Sequence, residues 1–477
     1  MTIPSLRSRA LIAAVVTLLL FFIFKQFYPF ASFFQDSYTY LDVAAHGDSI
    51  SYRPVGYSWF LILIHFITSS NTVLVLVQYC ILQLAGWRLY RSIELLYSPR
   101  RVVGNILFLF LLFNPLNLYL ANAVSSDALF TALSVIWLTE LLWLMHQPSW
   151  GRLIRQTVLL VVIFYIRYNA LCYPVIAAAA FLFTRKTAGF KIAGIASSVL
   201  TLVLGAMIVG QMTKEQTGVR VFSAFSGWQM ANNALYVYPY VKVERDRLPS
   251  PECRELDSMV AAYFNASGPS RRGHQPVDTW YMWDPGSPLK GYMFLRQRRE
   301  HVSYFTAWNR VGPVFSQYGF YLLSHHPLVF GREYVWPSAR MFFYPPMDVL
   351  GQYNQGAKEV DPLAVEWFHL KSTRVWARSF TAESIILGWA PALYLVLNVA
   401  FAIAALLLLL KYRKGEFRAA MVLTGGYFIV NAAFCILSTP NVLRYQVAPL
   451  IWLFAFTVLA CHRLFSLWNP EPAARRE

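Results

Sequence analysis

Apolar residues run along this chain in blocks, and the blocks set its architecture. Stretches long enough to cross a hydrocarbon layer of about 30 Å fall at 10–28, 72–95, 102–120, 128–146, 190–211, 384–410, 418–437 and 446–465. A further block, 156–184, has the length for two shorter spans. It is broken at "YIRYNALCYP", where Arg167 and Pro174 suit a connection better than a bilayer centre. The pattern predicts an all-α polytopic membrane protein with about ten transmembrane helices. One apolar segment, "GYSWFLILIHFIT" at 56–68, is short for a span and reads as a juxtamembrane helix inside a first outer loop, 29–71.

The polar residues between these blocks orient them. Arg7 and Arg9 precede the first apolar run, and "KQFYPFASFFQ" after it offers no convincing small-x-small cleavage site. The run therefore reads as a retained span with a cytoplasmic N-terminus. If 56–68 stays outside, Arg88/Arg91/Arg100/Arg101, Arg152/Arg155, Arg185/Lys186/Lys191, Lys411/Arg413/Lys414/Arg418 and Arg463 all fall on the cytoplasmic side. If it crosses, every later cluster flips outward. The first arrangement obeys the positive-inside bias and is the expected one, in a plasma (inner) membrane. It places Asp36, Asp42, Asp48, Arg53, Ser125-Ser126-Asp127, Arg167 and "STPNVLRYQ" (438–446) together on the outer face.

Three regions follow: a membrane module at 1–211, an outer-face segment at 212–383, and membrane helices with a short cytoplasmic tail at 384–477. The middle segment is too long for an ordinary loop and is expected to form a domain or lid. It is rich in Trp, Tyr and Pro, and "FTAWNRVGPVFSQYGFYLLSHHPLVFG" within it reads as a half-apolar helix lying on the membrane.

Composition agrees with this class. The chain is 57% hydrophobic and 14% charged, which excludes disorder, and its formal charge of +17 is accounted for by cytoplasmic loops and anionic lipid headgroups. No zinc-finger spacing or compact basic helix supports a nucleic-acid partner. Cys80, Cys172, Cys435 and Cys461 lie in or beside apolar runs, leaving Cys253 without an evident partner. No P-loop, GxSxG, HExxH or Rossmann fingerprint is present, which disfavours a cytosolic nucleotide-driven enzyme.

Candidate chemistry gathers where polar residues meet span ends. Asp36 follows the first span, near Tyr38 and Tyr40. Aromatic neighbours at an interface can raise a carboxyl pKa and suit it to general-base work; the plainer reading is that it marks the span edge. Asp127 opens a span after "NAVSS", where Ser125, Ser126 or Asp127 could cap the helix. Arg444-Tyr445 opens the last span and Arg167 another helix end; such arginines either snorkel or hold a phosphate at headgroup level. "GWQMANNALY" sets Gln229, Asn232 and Asn233 beside Trp228, a combination suited either to a polyhydroxylated ligand or to turn packing. Adjacent His325 and His326 point apart on a helix and do not suggest a metal site.

Taken together, "FQDSYTYLDVA", "RPVGYSWFL", "SSDALFTAL" and "LRYQVAPLIWLF" resemble, in order and sidedness, the GT-C superfamily of integral-membrane glycosyltransferases. The pattern is most similar to the protein O-mannosyltransferase and lipid A aminoarabinose transferase branch. The resemblance covers mainly 1–185 and 384–465. It implies transfer of a sugar from a polyprenyl-phosphate carrier to a lipid, glycan or protein acceptor on the outer face, with inversion. It implies Asp36 as the catalytic base and Asp127 as a helper in acceptor or metal placement. Arg444, with Arg167 and Arg53, would hold the donor phosphate. Tyr40, Tyr445, Trp228, Gln229, Asn232 and Asn233 are the candidate substrate contacts. Ser37 stands where many relatives carry a second acid, which weakens a metal-bound pair; a divalent cation, Mg or Mn, stays open as cofactor. The alternatives are a lipid-linked sugar flippase or transporter, disfavoured by the one-sided polar residues and the lack of an internal repeat, and a non-catalytic binding or assembly protein.

Overall fold

A computed structural model describes residues 6–266, 276–411, 415–438 and 440–468. Arg413, Lys414, Thr439 and the tail after 468 lie outside the described residues. The first half runs α1 (Leu6–Phe27), α2 (Gln35–His46), α3 (Gly56–Ile67), α4 (Asn71–Tyr97), α5 (Arg101–Phe113), α6 (Pro115–Asn122), α7 (Ser126–His146), α8 (Trp150–Ile166), α9 (Tyr173–Phe183) and α10 (Ala188–Thr217). An insert follows, with α11 (Phe225–Val237), α12 (Pro251–Ala266), α13 (Trp280–Trp283), α14 (Pro288–Glu300), α15 (Tyr304–His325), α16 (Pro327–Phe330), α17 (Trp336–Phe343) and α18 (Pro362–Phe368). The chain then closes with α19 (Ala382–Leu387), α20 (Trp389–Lys411), α21 (Glu416–Ser438) and α22 (Val447–Trp468). Among the described residues, β structure is limited to two isolated bridges.

Among the described residues, eight helical stretches are long and apolar enough to cross a membrane: Arg7–Phe27, Asn71–Tyr97, Arg101–Asn122, Ser126–His146, Ala188–Thr217, Ala382–Lys411, Phe417–Ser438 and Leu443–Ser466. They coincide with the eight long apolar runs of the sequence, and the chain is a multi-pass, all-α membrane protein. The 156–184 block forms two helices that part at Arg167, whose backbone is extended, with Pro174 in the first turn of α9. Helix α3 has 12 residues, about 18 Å at 1.5 Å per residue, well short of a bilayer core. It ends in strongly exposed Leu63, Phe66 and Ile67. Its start is pressed on the end of α8: a Cβ at Gly56 would lie 2.5 Å from the Tyr165 carbonyl oxygen.

Helix α7 is the most enclosed span, with 78% of its apolar window buried against 28% for α1 and for α10. Its two ends differ in chemistry. At one end Glu140, fully buried, accepts from Arg88 of α4 and Arg155 of α8. Arg9 of α1 joins that end through Tyr90 and Asn105. At the other end lies Asp127. Arg9, Arg88 and Arg155 thus meet at one end of α7, while Asp127 sits at the other.

The insert divides at about residue 341. Its first part has a core of its own, built where α11 meets α15: Trp228 stacks on Trp308 at 4.0 Å, and Phe315 meets the Trp228 ring at 4.6 Å. The buried amine of Lys290 stands over Trp228, Trp283, Tyr304 and Trp308, 4.6–5.2 Å from each ring centre, where aromatic faces compensate a buried cation. Helix α15 was expected to lie on the membrane. Instead its apolar face (Trp308, Val311, Phe315, Leu322) is buried in this core. The second part, from Phe342 through Val375, packs on the membrane bundle through Phe342, Leu350, Tyr353 and Phe368.

Candidate functional site

Two loops, distant in sequence, are pinned together beside α7. Ser32 donates its N–H to the Asn122 carbonyl at 2.8 Å, and Val124 donates to the Ser32 carbonyl at 3.0 Å, a short parallel bridge. One loop leads into α2 and carries Asp36; the other leads into α7 and carries Asp127. Residues 353–354 of the insert brace the first loop: Asn354 Oδ1 accepts from Phe33 N–H at 2.9 Å, and the Tyr353 hydroxyl bonds the Ala31 carbonyl at 3.1 Å. At the start of α7, Ser125 is the cap, accepting from the Asp127 N–H at 3.4 Å. Asp127 is thereby released from capping, and its carboxylate turns inward.

Arginines occupy the space between the acids. Arg444 Nη1 lies 3.0 Å from Asp36 Oδ2 and 3.4 Å from Asp127 Oδ2. Arg53 Nη2 holds the other Asp36 oxygen at 2.7 Å, and Arg167 pairs with Asp127 Oδ1. Ser125 Oγ donates to Asp127 Oδ2 at 2.8 Å. The Tyr445 ring sits between two guanidiniums, with Arg167 Cζ 4.2 Å and Arg444 Cζ 4.7 Å from its centre. Phe34 covers Arg444 and Phe225 of the insert lies near Arg53. Charges this enclosed are sustained only by pairing, since an unpaired buried ion costs several kcal/mol. Each arginine meets a carboxylate and at least one ring face.

A third acid completes the set and was not foreseen. Asp348 Oδ2 lies 3.1 Å from Arg444 Nε. Its residue has φ of 51°, in the left-handed region where Asp and Asn are enriched. The "YPPMDVL" context carries no motif or spacing. Its position is set by long-range contact: Leu443 N–H donates to the Pro346 carbonyl at 2.8 Å, tying this turn to the residues before α22.

Five of the predicted residues therefore meet directly: Asp36, Asp127, Arg53, Arg167 and Arg444. Tyr445 stacks among them, and buried Tyr40 supports them from below, its hydroxyl 2.9 Å from Ser126 Oγ. Trp228, Gln229, Asn232 and Asn233 have other partners. Trp228 Nε1 donates to the Trp308 carbonyl, Gln229 to Asn233, Asn232 to the Asp278 carbonyl, and Asn233 to the Leu437 carbonyl of α21. All four are buried, Trp228 in the insert's core and the three amides hydrogen-bonded within the insert and to α21. Asp42 and Asp48 are solvent-facing, Asp42 pairing with His46 one turn on.

The electrostatics correct one expectation. Burial pushes the Asp36 carboxyl up, but Arg53 and Arg444 outweigh it and hold the group below the usual carboxylate range. Asp36 is a firmly ionised acid whose charge is neutralised by two guanidiniums, rather than one raised by aromatic neighbours. A divalent cation finds no ready seat here. Among the described residues no group of three or more His, Cys, Asp or Glu side chains is arranged to hold a metal ion, and the three Asp carboxylates are engaged by arginine.

Comparison with protein-family models, with curated proteins and with solved structures finds no match for this chain.

Proposed function

We propose that this protein is an inverting membrane glycosyltransferase of the GT-C type, taking a sugar from a polyprenyl-phosphate carrier at the pole of the bundle that bears Asp36. The observation that carries this reading is Arg444, one guanidinium shared between Asp36 and the buried Asp127 and flanked by Arg53 and Arg167. Three cations at the end of a membrane bundle suit a lipid-borne phosphate, which stays at headgroup depth while its tail remains in the bilayer. The sequence pattern that resembles this superfamily centres on the same residues.

The chemistry balances at this cluster. An acceptor hydroxyl gives its proton to a carboxylate oxygen of Asp36. Its oxygen bonds to the anomeric carbon while the bond from that carbon to the phosphate oxygen breaks, and the electron pair stays on the phosphate. One negative charge disappears from Asp36 as one appears on the leaving group, and Arg444 reaches both ends of that displacement. Positioned cations facing a developing charge are the largest usual source of transition-state stabilisation. Asp36 gains basicity as the donor phosphate takes a share of Arg444, which otherwise holds its carboxylate. Asp127 keeps Arg167 and Arg444 oriented. The acceptor is a lipid, glycan or protein hydroxyl.

The test is transfer from a panel of polyprenyl-phosphate sugars by the full-length protein in liposomes. Product formation by wild type and its loss in Asp36→Asn, with normal membrane insertion, is expected. Near-wild-type turnover in that variant would remove Asp36 as the base. Scrambling of labelled carrier without a glycosidic product would replace transfer with transport.

A further inference from the structure

The site as it stands is electrically closed. Asp36, Asp127 and Asp348 face Arg53, Arg167 and Arg444, three carboxylates against three guanidiniums. A phosphodiester brings one more negative charge. An enclosed cluster that is already neutral takes it up only if a carboxylate leaves or accepts a proton.

The three acids are not equally placed to leave. The Asp127 side chain is 2% exposed and held by Arg167, Arg444 and Ser125; that of Asp36 is 13% exposed and held on both oxygens. The Asp348 side chain is 32% exposed. Its closeness to Arg444 is not a well-formed hydrogen bond: the buried Nε–H of Arg444 has no hydrogen-bond partner, although the carboxylate stands 3.1 Å away. Arg444 is otherwise nine-tenths buried, so a strong donor is left unsatisfied on the side facing Asp348. The segment that carries Asp348 has left-handed backbone there and again at Asn354 and Gln355 in the next turn. Such backbone is retained only where surrounding contacts enforce it.

We propose that Asp348 is a stand-in anion: its carboxylate occupies the phosphate position on Arg444 in the empty protein and is displaced by the lipid-linked phosphate. This rests on the phosphate reading above and adds a positioning residue to it. When Asp348 swings to solvent, the cluster carries one net positive charge, matching a phosphodiester, and Arg444 Nε–H gains an acceptor. The stand-in keeps three largely enclosed arginines compensated between turnovers and screens them against smaller anions.

Binding of a medium-chain polyprenyl phosphate to the full-length protein in neutral-lipid nanodiscs tests this, with the matching polyprenol and inorganic phosphate as further arms. Asp348→Asn keeps the shape and the left-handed backbone while removing the charge. It should bind polyprenyl phosphate about tenfold more tightly than wild type, the scale of one nearby like charge in a partly screened site. Asp348→Gly tolerates the same φ and should do likewise, so the result does not depend on one variant folding. Asp348→Glu should remain near wild type. The inorganic phosphate arm should gain in both neutral variants but stay far weaker, because the tail contributes nothing there. If wild type binds and neither neutral variant binds more tightly, the stand-in role is overturned while the phosphate site survives. If neither wild type nor variant prefers polyprenyl phosphate over polyprenol, the phosphate reading itself fails.

Discussion

Arg444 Nη1 stands 3.0 Å from Asp36 and 3.4 Å from Asp127, joining residues that lie 408 and 317 positions away in the chain. The start of the final span thus closes a site begun after the first one. Its geometry needs a planar, multi-donor cation, because two acids, a third at Nε and two ring faces share one side chain. Lysine offers a point charge without the fork. Arg444→Lys is therefore expected to lower transfer by ~10² or more, with insertion retained. Equal turnover in the lysine variant would reduce Arg444 to a structural counter-ion.

Asp36→Asn should be more damaging to chemistry than to fold. The amide oxygen can still accept from one arginine, but the group no longer takes a proton. A loss of about 10²–10⁴ in turnover is expected for a missing general base, with donor affinity changed far less. A defect confined to donor KM would assign Asp36 to binding.

The same residue makes stability depend on pH. Asp36 has a folded pKa below its unfolded value, so its stabilising contribution is present above the unfolded value of about 3.9 and disappears as pH falls through the folded one. Thermal melts in detergent should drop on acidification below about pH 4, and the drop should be shallower in Asp36→Asn. An identical slope in both proteins would show that the Arg53 and Arg444 pairs add nothing to stability.

Helix α11 lies so close to α15 that a Cβ on Gly227 would sit 2.1 Å from the Gly312 carbonyl oxygen. Gly227→Ala should destabilise the insert by about 1–3 kcal/mol, the usual range for overpacking. Because Phe225 lies on Arg53 from the same helix, reduced transfer should accompany the lower melting temperature. Wild-type melting would mean the two helices part readily.

The sidedness of the bundle is open to cysteine labelling. Asp48 and Arg185 are both exposed and are expected on opposite faces by the charge bias of the loops. In a cysteine-depleted background, Asp48→Cys should react with an impermeant maleimide from outside in intact cells, and Arg185→Cys only after permeabilisation. The reverse pattern would invert the protein and move the acids to the cytoplasm.

What the sequence alone determined is periodicity and length. Among the described residues, the eight long apolar runs became eight helical stretches of spanning length, one of them broken at Asn114, the short run at 56–68 stayed too short, and Arg167 marked a break. Each of these is a local property, since a helix in hydrocarbon must satisfy its own backbone and be long enough to do so. The acids and arginines were legible as well, because charge is scarce near span ends and stands out there.

Only the tertiary structure decided which polar residues meet. Trp228 looked as exposed to a ligand as Asp127 did, yet the stacking of α11 on α15 placed it in a core, with Gln229, Asn232 and Asn233 buried beside it. Asp348 looked like one acid in a loop, yet the bond between Leu443 and Pro346 carried it to Arg444. The sign of the Asp36 pKa shift also depended on this assembly. Burial alone would push it up, but the Arg444 cation that, with Arg53, reverses this is 408 residues away. At Asp36 the arginine charges together outweigh burial, and which charges come that close is a matter of packing between helices, which no local pattern records.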